Sequence, residues 1–170
     1  MTHITLETVD FTSYGESNIK ELATQVANIC EYGYGFFYLR LPQNYANVVK
    51  DIITAPKLFF DLPDSEKDAL ANDESCHYKI RGTVIKGTGP GYRGKGNDPN
   101  FVLDSRESFN LSSELFDIAN NTGCGMNKWP RENLLPKSWK DTVTHYMEMM
   151  LDLSVKLRSV IGKLVTQSYI

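Results

Sequence analysis

A chain of 170 residues, 41% hydrophobic and 23% charged, has the composition of an ordinary globular protein, with enough length for one domain with a sizeable core and little for two. Eighteen basic against 21 acidic side chains leave a net charge of −3, without the basic footprint of a nucleic-acid or anionic-membrane binder. No stretch approaches the roughly 18 consecutive apolar residues of a membrane span, and Met1 to Glu7 lacks the basic and apolar regions of a signal peptide, so the expected location is cytoplasmic.

The first element is a short strand over Ile4 to Phe11, where Ile4, Leu6 and Val9 are apolar. Ser17 or Asn18 can cap the helix that follows. Its apolar positions Ile19, Leu22, Ala23, Val26, Ile29 and Cys30 recur at helical spacing. Cys30, on that stripe, is expected to be a small buried hydrophobe. Gly33 and Gly35 end the helix, and Phe36 to Leu39 is an apolar run suited to a buried strand. A second helix begins near Pro42 and carries Tyr45, Val48, Val49, Ile52 and Ile53 on one face, until Pro56 kinks or interrupts it. Asp64 can cap a short helix over Ser65 to Leu70. From Asn72 to Pro99 the glycine content rises, and strand and loop are expected. A strand around Glu107 to Leu111 follows, then loop from Ser112 to Pro136 with Trp129 and Pro130 anchored on the core.

The last element is a helix over about 138–167. Ser138 and Asp141 resemble a capping box. Trp139, Val143, Tyr146, Met150, Leu153, Leu157, Val160 and Leu164 follow at alternating steps of three and four, one long stripe on about seven or eight turns. Neither glycine nor proline closes this helix after Gln167, so a fragment boundary is expected at Ile170.

Several chemistries find no support. Gly89 to Gly96 contains a GxGxxG spacing, but Asn97, Asp98 and Pro99 follow. That is turn chemistry, and phosphate binding needs a helix N-terminus there. The three cysteines, Cys30, Cys76 and Cys124, form no CxxC pair. No GxSxG elbow is present. A non-haem iron(II) site needs two histidines and a carboxylate. The histidines are His3, His77 and His145, and none is followed by the x-Asp or x-Glu of a ligand pair. No metal site and no catalytic residue is therefore expected within these residues.

The order strand, helix, Tyr34 to Leu39, helix, and then Phe59 to Lys67 resembles the opening of isopenicillin-N-synthase-like dioxygenases. The similarity continues through Gly91 and Tyr92, Asp104 to Phe109, Trp129 with Pro130, and the long helix. The resemblance implies a mixed α/β (α+β) fold. Residues 1–170 would be a single N-terminal region: helices and first strands flanking a double-stranded β-helix, or jelly roll. The barrel would be incomplete, its catalytic part lying beyond residue 170. It implies an oxidoreductase using iron(II), dioxygen and 2-oxoglutarate to hydroxylate or desaturate a small organic substrate. Both cofactors belong to the full-length parent, neither being bound by this chain. By the same resemblance Tyr92, Arg93, Arg106 and Phe109 are the substrate-contact candidates, on a segment where scaffolded loops carry specificity. The alternative is a non-catalytic, truncated relative acting as a binding or structural module, associating with itself through an exposed sheet edge.

Overall fold

The computed structural model describes residues 5–72, 77–80, 83–86, 89–95, 106–112 and 126–167. They gather into two compact units, Met1–Asp51 with His145–Ile170, and Ile52–Thr144, where the sequence reading treats the chain as one region. His3, Ile4, Cys76, Cys124, residues 96–99 and the side chain of Leu164 lie outside the described set.

In the first unit, strands β1 (Thr8–Asp10) and β2 (Tyr38–Arg40) pair in parallel, with Val9 opposite Leu39. Parallel neighbours need a crossover rather than a tight turn, and α1 (Ile19–Tyr32) supplies it. Its buried stripe of Leu22, Ala23, Val26 and Ile29 packs with Val9, Phe11 and Val160, the last from α5 (Trp139–Gln167). A second cluster joins Tyr45 and Val48 of α2 (Gln43–Ile52) to Met149.

Four local expectations are corrected here. Cys30 is exposed, because the core meets the Ile29 side of the last turn. Asn18 occupies the N-cap without a capping bond. Its side chain instead accepts the Gly15 N–H at 3.0 Å and donates to the Ser13 carbonyl at 2.8 Å, fastening the preceding loop. The run Phe36 to Leu39 is not buried throughout. Strand side chains alternate between faces, so Phe37 and Leu39 pack on the core while Phe36 and Tyr38 stay outside. The helix α2 turns a narrower face to the core than expected: it buries Tyr45 and Val48, three residues apart, but leaves Val49 exposed, with Ile53 exposed just beyond its end.

In the second unit, Pro56 lies in the first turn of α3 (Ala55–Phe60), where its missing N–H costs nothing. It opens a new helix instead of kinking the old one. The next helix, α4 (Asp64–Asp68), has Pro63 at its N-cap, so Asp64 is a first-turn residue and not the cap. Strands β3 (His77–Ile80) and β4 (Thr83–Lys86) form an antiparallel hairpin. Strands β5 (Gly91–Arg93) and β6 (Ser108–Asn110) form a second antiparallel pair. Phe59, almost wholly buried, is the centre of this unit. Its ring stacks on Phe109 at 4.1 Å between centroids and meets Phe60, Trp139 and Tyr92 at 5.2, 6.1 and 6.2 Å. The Trp139 indole N–H donates to the Ala55 carbonyl at 2.9 Å. Trp129 sits edge-on to Trp139 at 6.2 Å, as the expected anchor. Among the described residues each sheet has two strands, and the architecture is mixed helix and strand.

Candidate functional site

The four residues singled out by sequence cluster on β5 and around β6, and the backbone there is held unusually tightly. The Tyr92 N–H donates to the Leu70 carbonyl at 2.8 Å, and the Asn72 N–H donates to the Tyr92 carbonyl at 2.9 Å. On its other edge β5 pairs with β6, Tyr92 opposite Phe109 and Arg93 opposite Ser108. Residues 70–72 pass so close that a Cβ on Gly91 would lie 2.7 Å from both Asn72 Cα and the Leu70 oxygen, and Gly91 adopts φ +130°. Only glycine combines that conformation with that clearance.

Beneath the pair lies a charged network. The Tyr92 hydroxyl donates to Glu107 Oε2 at 2.7 Å, and Lys67 Nζ donates to the same oxygen at 2.9 Å. Lys67 also pairs with Asp64 Oδ1 at 3.0 Å and donates to the Phe60 carbonyl at 3.3 Å. Its side chain is only 6% exposed, and an ammonium has three donors, so every one is engaged. The same ammonium stands 5.5 Å from the centre of the Tyr92 ring, within cation–π range.

The electrostatics follow from these contacts. The Lys67 hydrogen bond, then that from Tyr92, holds the Glu107 carboxyl below its ordinary range. The Glu107 bond outweighs burial and raises Lys67. Burial first, then the bond to Glu107, raises the Tyr92 phenol. At neutral pH the trio is thus ammonium, carboxylate and neutral phenol. No member is poised near neutrality for general acid–base work. The network is a brace that fixes β5 and β6 on α4.

Against that brace the four candidates separate. Tyr92 and Phe109 are cross-strand neighbours on the face turned to Phe59. Arg93, half-buried, belongs to the opposite face with Ser108. Arg106 is exposed just before the strand. Arg93 and Arg106 each engage a further group. Lys67 and Glu107, which organise the site, are not among the sequence candidates. They are 40 residues apart, and the only local signal was the Asp64 to Lys67 spacing of three on a helix.

A hollow of about 560 Å³ lined by Trp129, Pro130, Arg131, Leu135, Pro136 and Lys140 contains none of the four. Two of its charged groups are engaged: Arg131 pairs with Glu66, and Lys140 lies 4.8 Å over the Trp129 ring. We therefore place the candidate site on β5 and β6. Among the described residues no three His, Cys, Asp or Glu side chains gather as a metal site, and His145 is exposed on α5. The described residues do not fit an iron centre.

Comparison with known proteins supplies the remaining findings. Residues 6–132 match the family model for the non-haem dioxygenase in morphine synthesis N-terminal region. A 2-oxoglutarate-dependent dioxygenase, eupC, from a Phoma species is 27% identical over 141 residues, covering 81% of this chain and 42% of the relative. Another, tropC from Talaromyces stipitatus, is 27% identical over 172 residues, covering 96% and 50%. A third, caaD from Aspergillus niger, is 26% identical over 168 residues, covering 95% and 48%. The chain spans about half the length of the curated relatives it matches. No solved structure matches it.

Proposed function

Because the chain belongs to the family of non-haem dioxygenase N-terminal regions, we propose that it is the N-terminal part of an oxidoreductase using iron(II), dioxygen and 2-oxoglutarate. The proposed reaction is hydroxylation or desaturation of a small organic substrate in a jelly-roll enzyme. The observation that carries this reading is the family match over residues 6–132, supported by three relatives each named a 2-oxoglutarate-dependent dioxygenase. Among the described residues no helix is long and apolar enough to cross a membrane, and a cytoplasmic location is part of the same proposal.

When bound, iron(II) and 2-oxoglutarate supply the oxidising chemistry, and the protein supplies binding and orientation. The iron ligands are assigned to protein outside the described residues. Within this chain, Arg93 and Arg106 are the proposed substrate contacts. Tyr92 and Phe109 form the wall behind them, because their polar and aromatic surfaces are turned to Glu107 and Phe59.

Oxygen uptake by the complete gene product tests the reading. Uptake that requires both iron(II) and 2-oxoglutarate is expected, and uptake indifferent to both would overturn it. Once a substrate is known, Arg93→Ala is expected to raise its KM about tenfold. That corresponds to the loss of one charge-assisted hydrogen bond, about 1.5 kcal/mol.

A further inference from the structure

The hollow lined by the segment 129–137 and the first turn of α5 measures about 560 Å³, within the range of small-molecule sites, roughly 300–1,000 Å³. Every residue lining it belongs to the second unit, and none belongs to β5 or β6. Its apolar lining is aromatic and stiff. Trp129 and Trp139 stand edge-on at 6.2 Å, and Pro130 and Pro136 beside them have fixed φ angles. Trp139 is anchored in turn by its indole N–H on the Ala55 carbonyl at 2.9 Å and by the Phe59 ring at 6.1 Å. Indole rings favour flat aromatic partners, held offset-stacked or edge-to-face at about 4.5–7 Å between centroids. A lining that is already in place loses little entropy when it is filled.

Charge selects the other end of the ligand. Arg131, Lys137 and Lys140 line the hollow with Glu132 and Asp141. Arg131 is neutralised by Glu66. Asp141 lies in the first turn of α5, where the positive end of the helix offsets part of its charge. The Lys140 ammonium stands 4.8 Å from the centre of the Trp129 ring, a contact weaker than an ammonium–carboxylate hydrogen bond. The ring of Trp129 thus already has a cation. A cationic ligand would have to compete with Lys140 for it, whereas a carboxylate takes Lys140 as its donor. We propose that this hollow binds a planar aromatic carboxylate, its ring packed against the two indoles and its carboxylate hydrogen-bonded by Lys140 and Lys137. The site is separate from the substrate contacts proposed on β5 and β6, and it stands independently of the oxygenase reading.

Photolabelling of the complete gene product with 4-azidobenzoate tests the assignment, the labelled peptides being read by mass spectrometry. Label within residues 129–141 is expected, suppressed by 2-naphthoate and not by the uncharged 2-naphthamide. Label confined to other peptides, or none above the dark control, would overturn the site. Equal suppression by the amide, or equal labelling of this segment by the cationic 4-azidobenzylamine, would overturn the carboxylate. The variant Lys140→Met keeps the apolar stem of an exposed side chain and removes its ammonium. With the melting temperature unchanged, the 2-naphthoate concentration that halves labelling of residues 129–141 is expected to rise about tenfold, as for the loss of one charge-assisted hydrogen bond. An unchanged concentration counts against the proposal. Because the readout is confined to residues 129–141, it does not depend on iron, 2-oxoglutarate or oxygen uptake, and failure of the oxygenase reading leaves the site standing.

Discussion

Each unit contains a trio of tyrosine, carboxylate and lysine, and the two are wired alike. In the second unit Tyr92 and Lys67 share one oxygen of Glu107. In the first, Tyr45 and Lys156 share one oxygen of Asp152, with Lys156 at 2.7 Å and also 2.8 Å from the Tyr45 hydroxyl. Both ammonium groups lie close to the tyrosine ring, at 5.5 and 5.4 Å. The environments differ. Lys67 and Glu107 are 6 and 24% exposed, whereas Lys156 and Asp152 are 32 and 51% exposed. Lys67 and Glu107 come from segments 40 residues apart, whereas Lys156 and Asp152 are one helical turn apart on α5. Identical groups at similar distances therefore have different worth. A desolvated ion pair is costly to break, because the partner is left charged and dry. A solvated one gives up little, because water replaces it.

The largest expected effect comes from removing the buried cation. Lys67→Ala should destabilise the protein by about 3 kcal/mol, the low end for breaking a buried pair, since part of Glu107 can still reach water. Urea unfolding measures it, and a loss below about 1 kcal/mol would erase the contrast between the trios. Glu107→Gln should cost about 2 kcal/mol, because Lys67 keeps Asp64 and the Phe60 carbonyl as acceptors. The pH dependence carries the same signature. Glu107 is lowered from 4.5, so its contribution is present above that value and is lost as pH falls through the folded value. Lys67 is raised from 10.5, so its contribution is complete below that value and is lost only as pH rises through a higher one. Tyr92 is raised from 10.0, so stability from the trio should be level between about 4.5 and 10.0, and Glu107→Gln should flatten the acid limb in a thermal-melting series across pH.

What could be read from sequence divides along the same line. The helices α1 and α5 and the strand β6 were legible, because periodicity and turn residues act locally. The residues of the brace were not. Nothing near Lys67 announces that its ammonium will be buried against a glutamate 40 positions on, and Gly91 shows its need for glycine only once residues 70–72 lie beside it. Local rules also failed where a tertiary contact competed. Asn18 was a good capping residue drawn off by the Gly15 and Ser13 loop, and Cys30 sits on the side of the last turn away from Ile29 and the core. For the candidate site, the sequence indicated a strand around Glu107 to Leu111 and only strand and loop over Asn72 to Pro99, neither the pairing of β5 with β6 nor its two faces. Register decides that, and register is a property of pairing.

The smallest expected effect is also the sharpest test of the comparison. Lys156→Ala removes a pair within one helix, worth about 0.5 kcal/mol, and the contact of its ammonium with the Tyr14 and Tyr45 rings at 5.9 and 5.4 Å. A total near 1 kcal/mol is expected. The number alone could overlap with that of many surface changes, so the coupling is the better measurement. A double-mutant cycle of Lys156→Ala with Asp152→Asn should give about 0.5 kcal/mol, and the matching cycle of Lys67→Ala with Glu107→Gln about 2 kcal/mol. Salt should separate them again: molar sodium chloride should remove most of the first coupling and little of the second, because screening reaches solvated pairs and not dry ones. Equal couplings, or an equal response to salt, would mean that burial is not what distinguishes the two trios.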